Sequence, residues 1–240
     1  MVDKILLKLT PILGWGSLIL FVVCLSGGSL NIVKLDLTAG NATALNVILS
    51  LAFFIQHSGM IRKSFRNRTA RFIDEKYNGV LFSIVSSLTL IAFAVLWQDS
   101  GILAASVEGP ARLLLRAALI VSLFGFYWGV RSLGAFDAFG IGSLRRSLSG
   151  KTGKPARFRV VGPYRWVRHP LYFFILVMIW SCPDLTVDRL IFNALWTAWI
   201  VVGAMLEERD LVELFGEEYR HYQLQVPMLI PSTVRPYDRI

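Results

Sequence analysis

The chain has 240 residues, 55% of them hydrophobic and only 17% charged, whereas a soluble domain is nearer a quarter charged. That composition is an integral membrane protein's. The net charge of +9 would suit a nucleic-acid partner, but basic residues confined to loops between apolar spans follow from the positive-inside rule, so none is expected.

Six apolar stretches follow in chain order, near Leu9–Ser26, Ala44–His57, Asn78–Trp97, Ala111–Val130, Pro170–Cys182 and Leu190–Leu206. Lys4 and Lys8 precede the first. No small-residue cleavage site stands out, so it reads as a retained span. A helix needs about 20 residues to cross the hydrocarbon core, so the second and fifth stretches look short. With the N-terminus inside, 21 of the 25 Lys and Arg fall in inner segments, and only Lys34, Arg112, Arg116 and Arg189 fall outside. This predicts an all-α membrane protein of about six transmembrane helices in the inner (cytoplasmic) membrane, both termini cytoplasmic. The tail "EERDLVELFGEEYRHYQLQVPMLIP" reads as the sixth helix running into the cytosol, loosened near Gly216 and stopped before Pro227. Between Gly134 and Trp166 lies the only long loop; such loops are usually functional or partly ordered. Cys24 and Cys182 have neither disulfide nor metal spacing and read as free thiols.

Polar residues gather where three spans meet the inner boundary. Gln56 and His57 end the second, Arg168 and His169 begin the fifth, and Glu207 and Glu208 end the sixth. Ionisable groups in such places mark a functional site, here one cytosol-facing pocket. Each has a plainer reading too. Arg168 suits a positive-inside anchor, His169 before Pro170 suits a helix start, and Tyr164 and Trp166 suit an interfacial aromatic belt. Carboxylates at a helix C-terminus oppose the macrodipole, so Glu207 and Glu208 call for a positive partner: Arg209, Arg168 or a cationic ligand.

Other chemistries fit less well. Three histidines, His57, His169 and His221, are too few for a histidine-rich di-iron centre. They leave at most a single-metal His/Glu site, and none is assigned. "GSLRRSLSGKTGK" ends like a P-loop, but Arg145 stands where the first glycine is needed. A Rossmann fingerprint and a Ser-His-Asp triad are both missing.

"GPYRWVRHPLY" (Gly162–Tyr172) and "LEERDLVELFGEEYRHYQLQVPMLIP" (Leu206–Pro231) together resemble the isoprenylcysteine carboxyl methyltransferase superfamily, whose signature is R-H-P-x-Y, a helical hairpin and E-E. Within it, "FIQHSGMIRKSF" (Phe54–Phe65), "FDAFGIGSLRRSL" (Phe136–Leu148) and "MLEERDLVELFGEEYRHY" are similar to segments of the bacterial methanethiol S-methyltransferases. The likeness runs from about Leu45 to Pro231 and is strongest in the last third. It implies one membrane methyltransferase domain over 1–240, with a cofactor-binding part at about 134–231. It implies S-adenosyl-L-methionine, entering from the cytosol between the R-H-P turn and E-E while the tail closes over it. Tyr164, Arg168, His169, Pro170, Tyr172, Glu207 and Glu208 are then the cofactor-binding candidates.

The chemistry agrees from below. Glu207 or Glu208 suits the cofactor ammonium or ribose hydroxyls, and Arg168 its carboxylate. Tyr164, Trp166 and Tyr172 offer aromatic faces to adenine or to the sulfonium. Pro170 shapes the turn without offering a donor. A small thiol substrate must lose a proton, since the thiolate is the nucleophile. His57 is the candidate base, with Tyr219, Arg220 and His221 of the tail as alternatives. Glu208→Gln is expected to weaken cofactor binding without unfolding the chain. The competing readings are methylation of an isoprenylcysteine carboxylate or lipid headgroup, a non-enzymatic NnrU-like membrane protein sharing "QHS", and a transporter. Transporters place their polar groups at the bilayer midplane. Membrane lipids are the other expected contact, and no feature specifies an oligomer.

Overall fold

The computed structural model describes residues 2–30, 32–134, 137–151, 157–232 and 235–238. Phe136, Lys154 and Arg239, named or counted above, lie outside them, as do Thr152 and Gly153 of the P-loop-like segment and the side chain of Lys63. The helices are α1 (Val2–Gly27), α2 (Ala39–Ile61), α3 (Lys63–Thr69), α4 (Asn78–Leu96), α5 (Gly109–Ser132), α6 (Gly142–Leu148), α7 (Pro170–Trp180), α8 (Val187–Phe215) and α9 (Glu217–Gln225). Strands β1 (Leu103–Ser106) and β2 (Asp184–Thr186) form a two-stranded sheet. α1, α2, α5, α8 and the run Glu75–Leu96 are long and apolar enough to cross a membrane. The chain is an all-α integral membrane protein.

One expectation about length changes and one holds. The second stretch is not short: α2 has 23 residues. Thr38 Oγ1 caps its start by accepting from Asn41 N at 3.3 Å. Its polar end stays helical because Gln56 is paired on α4, donating to Ser86 Oγ at 3.1 Å and accepting from Thr89 Oγ1 at 2.9 Å. The fifth stretch is shorter than a crossing. α7 has 11 residues and rises about 16 Å, against roughly 30 Å of hydrocarbon. So five helices among the described residues, and not the six expected, reach across by length. Pro183 explains the stop, because it has no N–H to donate and biases Cys182 out of the helical region. The segment between Gly134 and Trp166 holds α6 and a 3-10 turn at Gly162–Arg165.

The described residues cluster into two compact units. One draws on Met1–Ala104, Asp137–Lys154 and Thr186–Phe192, and the other on Ala105–Phe136, Pro155–Leu185 and Asn193–Ile240. In the first, α4 packs against α1 and α2. Phe21, Phe93, Trp97 and Phe192 stack edge-on or tilted at centroid distances of 4.9–6.2 Å. Two of its buried charged side chains find several partners, as an apolar medium demands. Asp188 accepts from Trp97 Nε1 (2.9 Å) and Ser100 Oγ (2.7 Å). Arg189 donates to the Cys24 and Leu25 carbonyls near the end of α1, at 3.1 and 2.6 Å, offsetting that helix's negative pole.

In the second unit α5 packs on α7. Gly125 and Gly129 let the helices close up, with the Phe174 ring seated on the first and Leu171 on the second. This is the small-residue packing that membrane helices use. α7 then meets the middle of α8 at two points. Its entry meets Glu208 through His169, and its far end meets Thr197 through Trp180 Nε1 at 3.0 Å. The R-H-P turn is thereby held level with E-E.

Candidate active site

The site grows from the three residues before α7. Pro170 occupies the first turn of that helix, where a missing N–H costs nothing. The two preceding amides pair with the chain beyond α9: Arg168 N donates to Pro227 O at 2.9 Å and His169 N to Met228 O at 3.1 Å. The tail is therefore pinned to the start of α7 at two successive amides.

The Arg168 side chain completes the docking. Its guanidinium grips Glu208 through both edges, Nε to Oε1 at 2.7 Å and Nη2 to Oε2 at 2.9 Å. Its Nη1 donates to Gln223 O at 2.9 Å and also to Val226 O, around the end of α9. Both side chains are nearly buried, 11% and 10% exposed. Bidentate charge-assisted pairs of this kind are the strong ones.

Glu208 accepts three further bonds: from Tyr219 Oη at 2.9 Å, from Gln223 Nε2 at 2.5 Å, and from His169 Nε2 at 2.9 Å. Tyr219 and Gln223 are four residues apart, so they share one face of α9. Burial, then the Glu208 charge, pushes the Tyr219 phenol above its ordinary range, so it stays a donor. The five bonds fill both carboxylate oxygens with protein partners. They also settle the electrostatic question raised by the sequence. Glu207 and Glu208 do not end α8, which runs on to Phe215, and Arg168 supplies the positive partner.

Glu207, the neighbouring residue, is placed differently. Its side chain is 47% exposed, with His169 Nδ1 3.6 Å from Oε2. The Tyr172 hydroxyl lies near it, and the Tyr172 ring stacks on His169 with centroids 5.5 Å apart and planes 16° from parallel. Tyr164 sits close enough that, after burial, the Glu207 charge raises its phenol above the ordinary range. A half-open carboxylate bordered by aromatic rings is an acceptor and π surface that suits an ammonium, a sulfonium or ribose hydroxyls.

The tail has its own small core. Tyr219, Tyr222 and Val226 are buried together with Phe158, Leu211 and Phe215 around them. Tyr222 Oη donates to Tyr164 O at 2.5 Å, and Arg165 pairs with Asp238 and with the Tyr237 carbonyl. Gly216, at φ +58°, makes the break between α8 and α9, a conformation glycine adopts at little cost.

Arg168, His169, Pro170, Tyr164, Tyr172, Glu207, Glu208 and Tyr219 thus come together within the second unit. Arg220 does not join them: it is 60% exposed and pairs with Glu217 at 3.3 Å. His57 belongs to the first unit, between the Phe53 and Phe82 rings at 5.1 and 4.9 Å, and its buried Nδ1 has no hydrogen-bond partner among the described residues. Sequence reading missed Gln223; only its four-residue spacing from Tyr219 hinted at it.

Glu208→Gln therefore reaches further than cofactor binding. Breaking a buried pair costs about 3–5 kcal/mol, and here the loss falls on tail docking. Limited proteolysis should cut between Gly216 and Pro227 much faster in the variant than in the wild type, while α8 itself resists. Equal cleavage would show that Glu208 does not hold the tail.

Comparison with known proteins agrees with the motif. The chain is 34% identical over 199 residues to methanethiol S-methyltransferase 1 of Bradyrhizobium diazoefficiens, covering 82% of this chain and 69% of that protein. It is 34% identical over 199 residues to the methanethiol S-methyltransferase of Pseudomonas deceptionensis (81% and 74%). With the enzyme of that name from Mycobacterium tuberculosis the identity is 30% over 193 residues (80% and 79%). No protein-family model and no solved structure matches the chain. At this identity and coverage, the chain belongs to the methanethiol S-methyltransferase family.

Proposed function

We propose that this chain methylates methanethiol at sulfur, with S-adenosyl-L-methionine as donor and dimethyl sulfide as product. The observation that carries this reading is the likeness, over about four-fifths of the chain, to proteins named for that reaction. Those names favour a small thiol over an isoprenylcysteine carboxylate, a lipid headgroup or a non-enzymatic role. The basic-residue distribution supports placing both termini and the site on the cytoplasmic side of the inner membrane.

The residues fit the cofactor, with one change of emphasis. Glu208 is spent on Arg168, His169, Tyr219 and Gln223, so Glu207 is the carboxylate with room for a ligand. Arg168 is likewise engaged, and its part is to fix Glu208 and the end of α9. Tyr164 and Tyr172 would border the cation. When bound, the cofactor supplies a methyl group on a sulfonium, and the thiolate sulfur gains that methyl as the old carbon–sulfur bond breaks, its electron pair staying on the cofactor sulfur. The chain's own tasks are to orient the two partners, exclude water and take one proton. Orientation is the largest of these. An ordinary thiol, with a pKa near about 8.5, is mostly protonated at neutral pH, and His57 is the proposed proton acceptor. Its Nδ1 has no partner among the described residues to compete for the proton.

Membranes holding the protein, given methyl-deuterated S-adenosylmethionine and methanethiol, should release dimethyl sulfide with one labelled methyl in headspace gas chromatography. Release no greater than from empty membranes would overturn the reading. In the same assay His57→Ala should slow turnover at least tenfold, as expected for a lost general base, with cofactor affinity kept. Unchanged turnover would remove His57 from the mechanism.

Glu207→Gln should weaken cofactor binding by about tenfold or more, the worth of one charge-assisted hydrogen bond, while the tail stays docked. Calorimetric titration measures it, and wild-type affinity would assign the cation to another group.

A further inference from the structure

Beyond α2 the chain leaves its apolar helix and forms α3 and a turn that continues to Ile73. Phe72, in that turn, is 86% exposed, more than any other large hydrophobic residue among those described. Arg66, Arg68 and Arg71 around it are also exposed. Among the described residues none of the three has a carboxylate within ion-pair reach. The nearest acid in the sequence, Asp74, is engaged by Lys76 at 3.4 Å. From Arg62 to Ile73 the sequence holds five basic residues and no acidic one.

In bulk water this arrangement is unfavourable twice over. A phenyl ring stands in solvent, and like charges crowd with nothing to neutralise them. At the surface of a bilayer both costs reverse. The ring enters the boundary between headgroups and acyl chains, and guanidinium groups bond phosphate oxygens in pairs. The position is right for this, because α2 is long and apolar enough to span the membrane and α3 starts within two residues of its end. We propose that residues 62–73 form an interfacial anchor that binds the headgroup phosphates of anionic phospholipids, with Phe72 as the apolar wedge and Arg66, Arg68 and Arg71 as the phosphate ligands. Charge complementarity selects anionic over zwitterionic lipid. This proposal stands apart from the methyl-transfer reading, since none of these residues belongs to the R-H-P and E-E cluster.

The test is native mass spectrometry of the full-length protein released from detergent micelles doped with equal phosphatidylglycerol and phosphatidylcholine. A basic residue at an anionic surface contributes about fivefold in binding, so three give up to about a hundredfold. Replacing Arg66, Arg68 and Arg71 together by Gln should cut the ratio of retained phosphatidylglycerol to phosphatidylcholine at least tenfold. Replacing the same three by Lys should keep most of it, which separates lost charge from lost folding. Phe72→Ser should lower retention of both lipids alike. An unchanged ratio in the Gln variant would overturn the proposal. So would an added short RNA displacing phosphatidylglycerol from the wild type, which would make the patch a general polyanion site.

Discussion

A single carboxylate organises the second unit. Glu208 projects from α8 and collects hydrogen bonds from Arg168 and His169 on one side and from Tyr219 and Gln223 on the other. Each of those groups would be costly to bury alone. Together they fix the start of α7, the later part of α8 and α9 relative to one another. Because Arg168 also holds the carbonyls at the end of α9, cation and anion each bridge the same elements.

That saturation divides labour between two adjacent glutamates. A carboxylate accepting five bonds is poorly suited to exchange partners with a ligand that comes and goes. Glu207, one position earlier and so about 100° around the helix, leaves the cluster and stands half open beside Tyr172 and Tyr164. The pairing E-E thus holds one carboxylate filled by protein groups and one half open. His169 touches both, through opposite ring nitrogens.

Much of this was legible in the residues. Hydropathy marked every apolar helix, and Gly216 marked the break before α9. R-H-P-x-Y with E-E predicted which segments meet, because Pro170 can only open a helix and two acids beside an apolar run demand a cation. What the sequence concealed is physical in origin. Hydropathy sees composition, so it marked the fifth stretch as short but could not show that α2 stays helical through paired polar residues. Charge logic called for a cation near E-E but could not rank Arg168 above Arg209 or a ligand, since that depends on which side chains face inward after folding. Gln223 was invisible as a neutral residue in a polar stretch. Arg220 lies apart, exposed beside Glu217, because tail residues that look poised in sequence point either way on a helix.

The central claim, that α9 is clamped by the Arg168–Glu208 pair, is tested most directly by hydrogen–deuterium exchange of the Glu217–Gln225 backbone in cofactor-free protein. The account predicts strong protection in the wild type and its loss when Arg168 is replaced by Leu. Exchange at the rate of an unstructured peptide in the wild type, with protection arising only when S-adenosylmethionine is added, would contradict it.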